Sequence, residues 1–207
     1  MKKAIVIGAT GTIGREVVKA FSGAGYEVIE SSRNGGVKAN LDKPETVEEL
    51  LKETGKVDVI VSAAGYAAMG RIEELSADDF KHSLNSKLMG QVYLVQKGLP
   101  YLNAGGSIVI TGGIFAYNPF PGTSAIAMVN LALEGFTRAL ALELTGKKKV
   151  LVIHPPLVAE SASLMGMDPT PYPSASLAGQ AYLEAVEKGK PGEAFFMSDF
   201  NPQQLEG

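Results

Sequence analysis

Lys2-Lys3-Ala4-Ile5-Val6-Ile7-Gly8-Ala9-Thr10-Gly11-Thr12-Ile13-Gly14 is the stretch on which the fold turns. A short β-branched run enters a glycine-rich turn, and Arg15-Glu16-Val17-Val18-Lys19-Ala20-Phe21 then opens a helical pattern. A buried strand, a glycine turn and a helix N-terminus together form a phosphate cradle. Gly8 allows the tight turn, Gly11 lets the backbone approach a pyrophosphate, and Gly14 lets the helix pack on the strand. The first turn of the helix adds unpaired N–H groups and a positive dipole end. A glycine motif alone is weak, since it also serves as a plain strand–helix turn. Its placement after a strand and before a helix is the context that gives it meaning.

From this turn outward, strand and helix patterns alternate to the end of the chain. That alternation predicts a doubly wound parallel α/β sheet with helices on both faces, one domain over 1–207. Strands are expected at 26–31, 35–39, 57–61, 107–111, 150–153 and 194–197. Helices are expected after Pro44, from the N-cap Ser76 to about Gln96, over 123–144 and over 174–188. The proline-rich segment 155–173 reads as a loop of the length that often covers a binding site.

With 207 residues, 45% hydrophobic and 20% charged, the composition is that of one ordinary globular domain. A formal net charge of −3 favours neither nucleic acid nor an anionic membrane as partner. Lys147-Lys148-Lys149 is expected to be a solvated loop. Zero Cys excludes disulfides and thiolate chemistry. The apolar start is too short for a secretion signal, no apolar stretch approaches a membrane span, and a cytoplasmic location is expected.

Several segments, in order and at matching spacing, resemble the short-chain dehydrogenase/reductase family over essentially the whole chain. Gly8–Gly14 resembles its cofactor loop, Asn40-Leu41-Asp42 its adenine-contacting turn, and Ser62-Ala63-Ala64-Gly65 its Asn-Asn-Ala-Gly with both Asn lost. Leu133-Glu134-Gly135-Phe136-Thr137-Arg138 is similar to the second half of its active-site helix, and Pro155-Pro156 stands where it has Pro-Gly. The resemblance implies a Rossmann fold binding NAD(H) or NADP(H) at the switch point. It implies cofactor contacts at Gly8, Thr10, Gly11, Thr12, Ile13, Gly14, Ser32, Arg33, Asn40, Leu41, Ala63, Ala64, Gly65, Lys87, Pro155 and Val158. An acidic residue ending the second strand would select NAD(H). Ser32 and Arg33 stand there instead and favour NADP(H), with NAD(H) the lesser choice.

The family's chemical residues are another matter. Aligned on Glu134–Arg138, the position of its Tyr falls on Ile126, that of its Lys on Asn130 and that of its Ser on Gly113. The position of its Asn falls on Lys87. Against the family pattern, Lys and Asn have thus traded places between facing helices. Lys87 would then still reach the nicotinamide ribose, held by Asn130, unless it simply snorkels to the surface. Tyr117 and His154 complete the set of candidate catalytic residues with Lys87 and Asn130. Each has an ordinary alternative, as a packed loop aromatic and a backbone-satisfied strand-end imidazole. Glu160 or Ser161 falls where the family touches the carboxamide. His82 is expected to be solvated.

Three functions remain open: an NADP(H)-dependent oxidoreductase on a small apolar carbonyl or alkene, a non-redox cofactor-binding sensor or scaffold, and a cyclase or isomerase in the same cleft. The Ala/Leu/Met face of 123–144 suits a homodimer or homotetramer.

Overall fold

The computed structural model describes residues 1–35, 37–144, 148–197 and 200. β1 (Lys3–Ile7) passes through the glycine turn into α1 (Thr12–Gly23). β2 (Glu27–Ser32), a two-residue β3 (Val37–Lys38), α2 (Pro44–Thr54) and β4 (Val57–Ser62) follow. α3 (Ala77–Ser83) then runs through a π-helical turn (Leu84–Met89) into α4 (Gly90–Gly98). β5 (Leu102–Thr111), α5 (Ser124–Glu143) and β6 (Lys149–Ile153) come next. α6 (Ala159–Leu164), α7 (Ala175–Lys188) and β7 (Ala194–Phe195) end the described chain.

The seven strands are all parallel, in the order β3-β2-β1-β4-β5-β6-β7. The order reverses between β1 and β4, so loops leaving these strands diverge and open a crevice. Alternate strand residues feed two cores. Val6, Val59, Val61 and Leu151 meet Phe21 of α1 and Tyr182 of α7 on one face. Ile5, Ile60, Ile108 and Val152 meet Leu50 of α2, Leu94 of α4 and Leu133 of α5 on the other. This is why the strands are apolar on both sides. Each such side chain fully removed from water contributes roughly 1.5–3 kcal/mol before entropy.

The structure departs from the sequence expectations at several places. The helix from Ser76 does begin with a capping box, Ser76 and Asp79 each holding the other's backbone N–H, but it is interrupted by the π turn. β5 starts five residues earlier than 107, because Leu102 pairs with Val57 and Asn103 Nδ2 donates to Asp58 Oδ1 at 2.9 Å. The segment 155–173 contains α6. Gly36, within the expected third strand, and Lys147, in the basic run, lie outside the described residues. Lys148 and Lys149 are not simply solvated: Lys148 Nζ donates to Leu99 O, and Lys149 Nζ donates to Val186 O at 2.6 Å and Gly189 O at 3.1 Å, closing the end of α7. α5 is in fact long and apolar enough to cross a membrane, with mean hydropathy 1.4, against the expectation of no such stretch. It instead lays Ala125, Val129, Leu133 and Thr137 into the interior.

α7 crosses α1 where neither has a side chain to spare. A Cβ on Gly179 would lie 2.5 Å from the carbonyl carbon of Glu16 and 2.8 Å from its Cβ. Gly179→Ala is therefore expected to push the helices apart and cost about 2 kcal/mol or more. A urea unfolding midpoint indistinguishable from that of the parent would refute this packing.

Candidate functional site

The crevice begins at the turn between β1 and α1. Gly8 has φ +86°, and a Cβ there would sit 2.5 Å from Ala63 O. A Cβ on Gly14 would lie 2.0 Å from Gly8 O, so α1 rests directly on the turn. Gly8 N and Ala9 N both donate to Ser31 O, at 2.9 and 3.0 Å, and Gly11 N donates to Gly8 O at 2.9 Å. Gly11 caps α1 in an extended conformation with no side-chain cap and no acidic residue in the first turn. The amides of Thr12 and Ile13 thus keep the positive helix end open to an anion. Their side chains serve otherwise, Ile13 packing against the core.

A cleft of about 450 Å³ extends from this turn. Of the residues named from the sequence, Gly8, Thr10, Gly11, Ser32, Arg33, Asn40, Leu41, Ala63, Ala64 and Gly65 line it. Gly14 supports it from behind. Ser32 is only 4% exposed, and its hydroxyl donates to Gly35 O at 2.8 Å and accepts from Gly35 N at 2.9 Å. It therefore shapes the β2 turn and leaves Arg33, which is exposed and makes no ion pair among the described residues, as the cation of the cleft wall. Asn40 Oδ1 likewise accepts from Asp42 N at 3.1 Å, fixing the turn that faces β2.

Asn34, Tyr66, His82 and Ser86 also line the cleft and were not foreseen. The rings of Tyr66 and His82 meet at a 48° tilt with centroids 4.8 Å apart, and Tyr66 N donates to Ser86 Oγ at 3.0 Å. His82 is exposed, as expected, but at the mouth of the cleft. The spacing of Tyr66 just past Gly65 was the only sequence signal for this pair.

Past Gly65, around the ends of β5 and β6, the candidate catalytic residues separate into two groups. Lys87 lies in the π turn and is 7% exposed. Its side chain runs past Gly65, where a Cβ would be 3.2 Å from Lys87 Cα and 3.4 Å from Cγ. Gln91, missed in the sequence, holds the turn in place. Its Nε2 donates to Lys87 O and Thr111 O, both at 2.9 Å, and its Oε1 accepts from Thr111 N at 2.7 Å. Among the described residues Lys87 Nζ has neither a hydrogen-bond acceptor nor a carboxylate within 4.0 Å; burial lowers its pKa to about 8.

Asn130 is fully buried; its Nδ2 donates to Gly113 O at 3.2 Å while its Oδ1 has no partner. The expected hydrogen bond between Lys87 and Asn130 is not made. A Cβ on Gly113 would lie 2.9 Å from Asn130 Nδ2, so the absence of a side chain at 113 makes room for this amide.

Tyr117 and His154 turn away into a cluster of their own. The Tyr117 phenol donates to Glu134, and its ring meets those of His154 and Phe196 edge-on at 5.6 and 5.1 Å. Burial, then the Glu134 carboxylate, raises the Tyr117 pKa well above its usual range. His154 is 0% exposed. Its Nδ1 lies 3.1 Å from both N and O of Gly113, and its Nε2 faces Glu134 Oε2 at 3.7 Å, beyond hydrogen-bond reach. Burial lowers its pKa, so the ring stays neutral and structural at physiological pH. Neither residue projects into the cleft.

Pro155 and Val158 do not line the cleft either. Pro155 O accepts from Ile114 N at 3.1 Å, and Val158 is 1% exposed in the core. Glu160 Oε2 is used by Ala175 N at 2.8 Å, so this carboxylate caps α7 rather than facing a ligand. Among the described residues no three side chains are gathered to hold a metal ion.

Against known proteins, a family model described as enoyl-(acyl carrier protein) reductase matches residues 37–183. Human 3-oxoacyl-[acyl-carrier-protein] reductase is 30% identical over 179 residues, covering 76% of this chain and 76% of that protein. Hydroxynaphthalene reductase from Aspergillus fumigatus is 26% identical over 140 residues, 68% of this chain; the chain spans only 50% of that relative's length. The crystal structure of a protein from Listeria innocua superposes with TM-score 0.88 at 30% identity, covering 95% of this chain and 99% of the other. A small-chain dehydrogenase crystallised in complex with NADPH superposes with TM-score 0.84 at 26% identity, covering 100% and 99%.

A buried ammonium without a carboxylate is a cost to the fold. The folded protein holds the Lys87 proton less tightly than the unfolded chain, so the penalty is fully present below about pH 8 and disappears as pH rises toward 10.5. At pH 7 it is on the order of 3 kcal/mol. Lys87→Met is expected to raise the unfolding free energy at pH 7 and to remove that rise in stability between pH 8 and 10. Denaturant titrations at several pH values measure both; a less stable variant would contradict the burial assigned to Lys87.

Proposed function

The chain belongs to the short-chain dehydrogenase/reductase family, and on that premise we propose that it is an NADP(H)-dependent oxidoreductase acting on a small apolar carbonyl or alkene. The observation that carries this is the uncapped N-terminus of α1 above a turn whose close contacts admit no side chain at Gly8 or Gly14. That cradle fits a pyrophosphate, which would be held by the amides of Thr12 and Ile13. When bound, NADPH supplies the hydride. The protein's own share is to grip the phosphates at the turn, orient the adenosine between Arg33 and the 39–42 turn, and shield the strand ends from water.

The phosphate preference rests on Arg33. No carboxylate ends β2 to accept the ribose hydroxyls, and Ser32 keeps its hydroxyl for the turn, so a 2′-phosphate meets a guanidinium. The NADPH present in one structural neighbour supports the same choice. The apolar substrate rests on the segment after β6, where Leu164 and Met165 stay exposed at 82% and 48%.

The alternative is a cofactor-binding sensor or scaffold, or a cyclase or isomerase. It is favoured by one observation: Tyr117 and His154, two of the candidate acids, face Glu134 instead of the cleft. The two readings separate on whether bound NADPH is consumed when aldehydes, ketones, quinones and enones are supplied.

We further propose a homodimer or homotetramer built on α5, where Met128 and Leu131 remain exposed at 42% and 46%. Sedimentation should find an oligomer at micromolar concentration, and Leu131→Glu should shift it to monomer; a monomeric parent rejects the assembly.

Arg33→Ala is expected to weaken NADPH binding by roughly 10-fold or more while leaving NADH binding nearly unchanged. Fluorescence titration with each nucleotide measures this. Equal losses for both would deny Arg33 a role at the 2′-phosphate, and an unmodified protein binding NADH more tightly would reverse the cofactor choice.

A further inference from the structure

We propose that Lys87 is the proton donor of this site, its ammonium delivered to the strand ends by the π-helical turn. The inference rests on the NADP(H) oxidoreductase function proposed above and names the group that function lacks.

The other proton-bearing side chains near the crevice are placed out of reach. Tyr117 donates to Glu134, and His154 is sealed behind Gly113. Tyr182 is fully buried, its hydroxyl 2.6 Å from Thr111 Oγ1. Tyr66 and His82 pack against each other at the mouth, beside the part of the cleft that begins at the glycine turn.

Lys87 differs from all of these. Single π turns place residues where a regular helix would not, and they recur at functional sites. Here the turn's backbone is pinned to the end of β5 through Gln91. The Lys87 stem packs against Gly65, which lines the cleft, and its charge is near enough to disfavour protonation of His154 at the end of β6. That sets the Lys87 stem just past the end of β4, beside the region where the crevice of a doubly wound sheet holds the reacting part of its ligand. On the facing helix, buried Asn130 Oδ1 is an acceptor with no donor. A substrate or ribose hydroxyl between the two helices would satisfy it.

The groups that set the titration of Lys87 are few. His154 of β6 lies close enough to feel its charge, with Glu134 of α5 beyond that ring; Tyr66 and His82 lie toward the mouth; and no carboxylate comes within 4.0 Å among the described residues. Burial alone brings the ammonium to about 8, near neutral operating pH, where a general acid works well. As the carbonyl carbon takes the hydride, the C=O π pair moves to oxygen. The Nζ–H bond breaks with its electrons left on nitrogen, and an O–H bond forms. The products are the alcohol, oxidised nucleotide and a neutral Lys87 amine, which regains a proton from solvent.

The test compares the parent with Lys87→Arg and Lys87→Met. It uses NADPH fluorescence titration, NADPH oxidation with a carbonyl panel from pH 6 to 10, and NMR titration of protein carrying ¹³C-labelled lysine. The expected result is one lysine signal titrating near pH 8 that is missing from both variants. Parent turnover falls as pH rises through that value, because the protonated form is the donor. Lys87→Arg keeps the charge and NADPH binding but loses turnover by roughly 10²- to 10⁴-fold, since a guanidinium does not release its proton in this range. Turnover within about threefold of the parent in either variant overturns the inference alone, as does a lysine set titrating entirely near 10. NADPH bound but never consumed overturns it and leaves cofactor binding intact. No NADPH binding to the parent removes both proposals.

Discussion

Everything in this molecule is hung on the contact between two glycines. Gly14 sits so close to the carbonyl of Gly8 that a methyl group would overlap it, and Gly8 in turn abuts Ala63 at the end of β4. Three elements, β1, α1 and β4, converge there without a side chain between them. The convergence brings the first turn of α1 over the point where the strand order reverses. It also leaves amides, not side chains, as the surface offered to a ligand. Larger residues would move α1 outward and close neither the core nor the crevice.

The two halves of the crevice obey different rules. The half nearest the glycine turn is built from backbone and short side chains fixed by their own local bonds, as with Ser32 to Gly35 and Asn40 to Asp42. Its exceptions are the buried hydroxyls of Ser31 and Ser62, which have no partner among the described residues. The other half carries the expensive groups: a buried ammonium at Lys87, an unsatisfied oxygen on Asn130 and a buried His154–Glu134 pair at 3.7 Å. A fold gains nothing from leaving such groups unpaired. At Lys87 and Asn130 a bound ligand would offset the cost; at His154 and Glu134, turned away from the cleft, packing does.

The sequence made the first half legible and the second only partly so. Strand–helix alternation and the glycine spacing announce the sheet and the cleft lining, because periodicity and close packing leave marks in residue type. The π turn left none: Leu84–Met89 has ordinary helical composition, and the turn is fixed by Gln91 bonding across to β5, a contact no local pattern encodes. The early start of β5 depends likewise on Asn103 meeting Asp58, 45 residues away. Tyr117 and His154 were plausible acids from position alone; what removes them is Glu134, whose burial on α5 was hidden within a helix of mostly apolar residues. Val158 was assigned to the cleft by resemblance, but packing carries its side chain into the core.

The changed positions also depend on one another. Asn130 can donate to Gly113 O only because residue 113 has no Cβ, which would lie 2.9 Å from the amide nitrogen. The same carbonyl lies 3.1 Å from His154 Nδ1, so the imidazole, the amide and the bare backbone form one unit. A serine at 113 alone would crowd Asn130, whose amide nitrogen lies 2.9 Å from where its Cβ would sit. Residues 113 and 130 are thus a single arrangement, the bare backbone of one making room for the amide of the other.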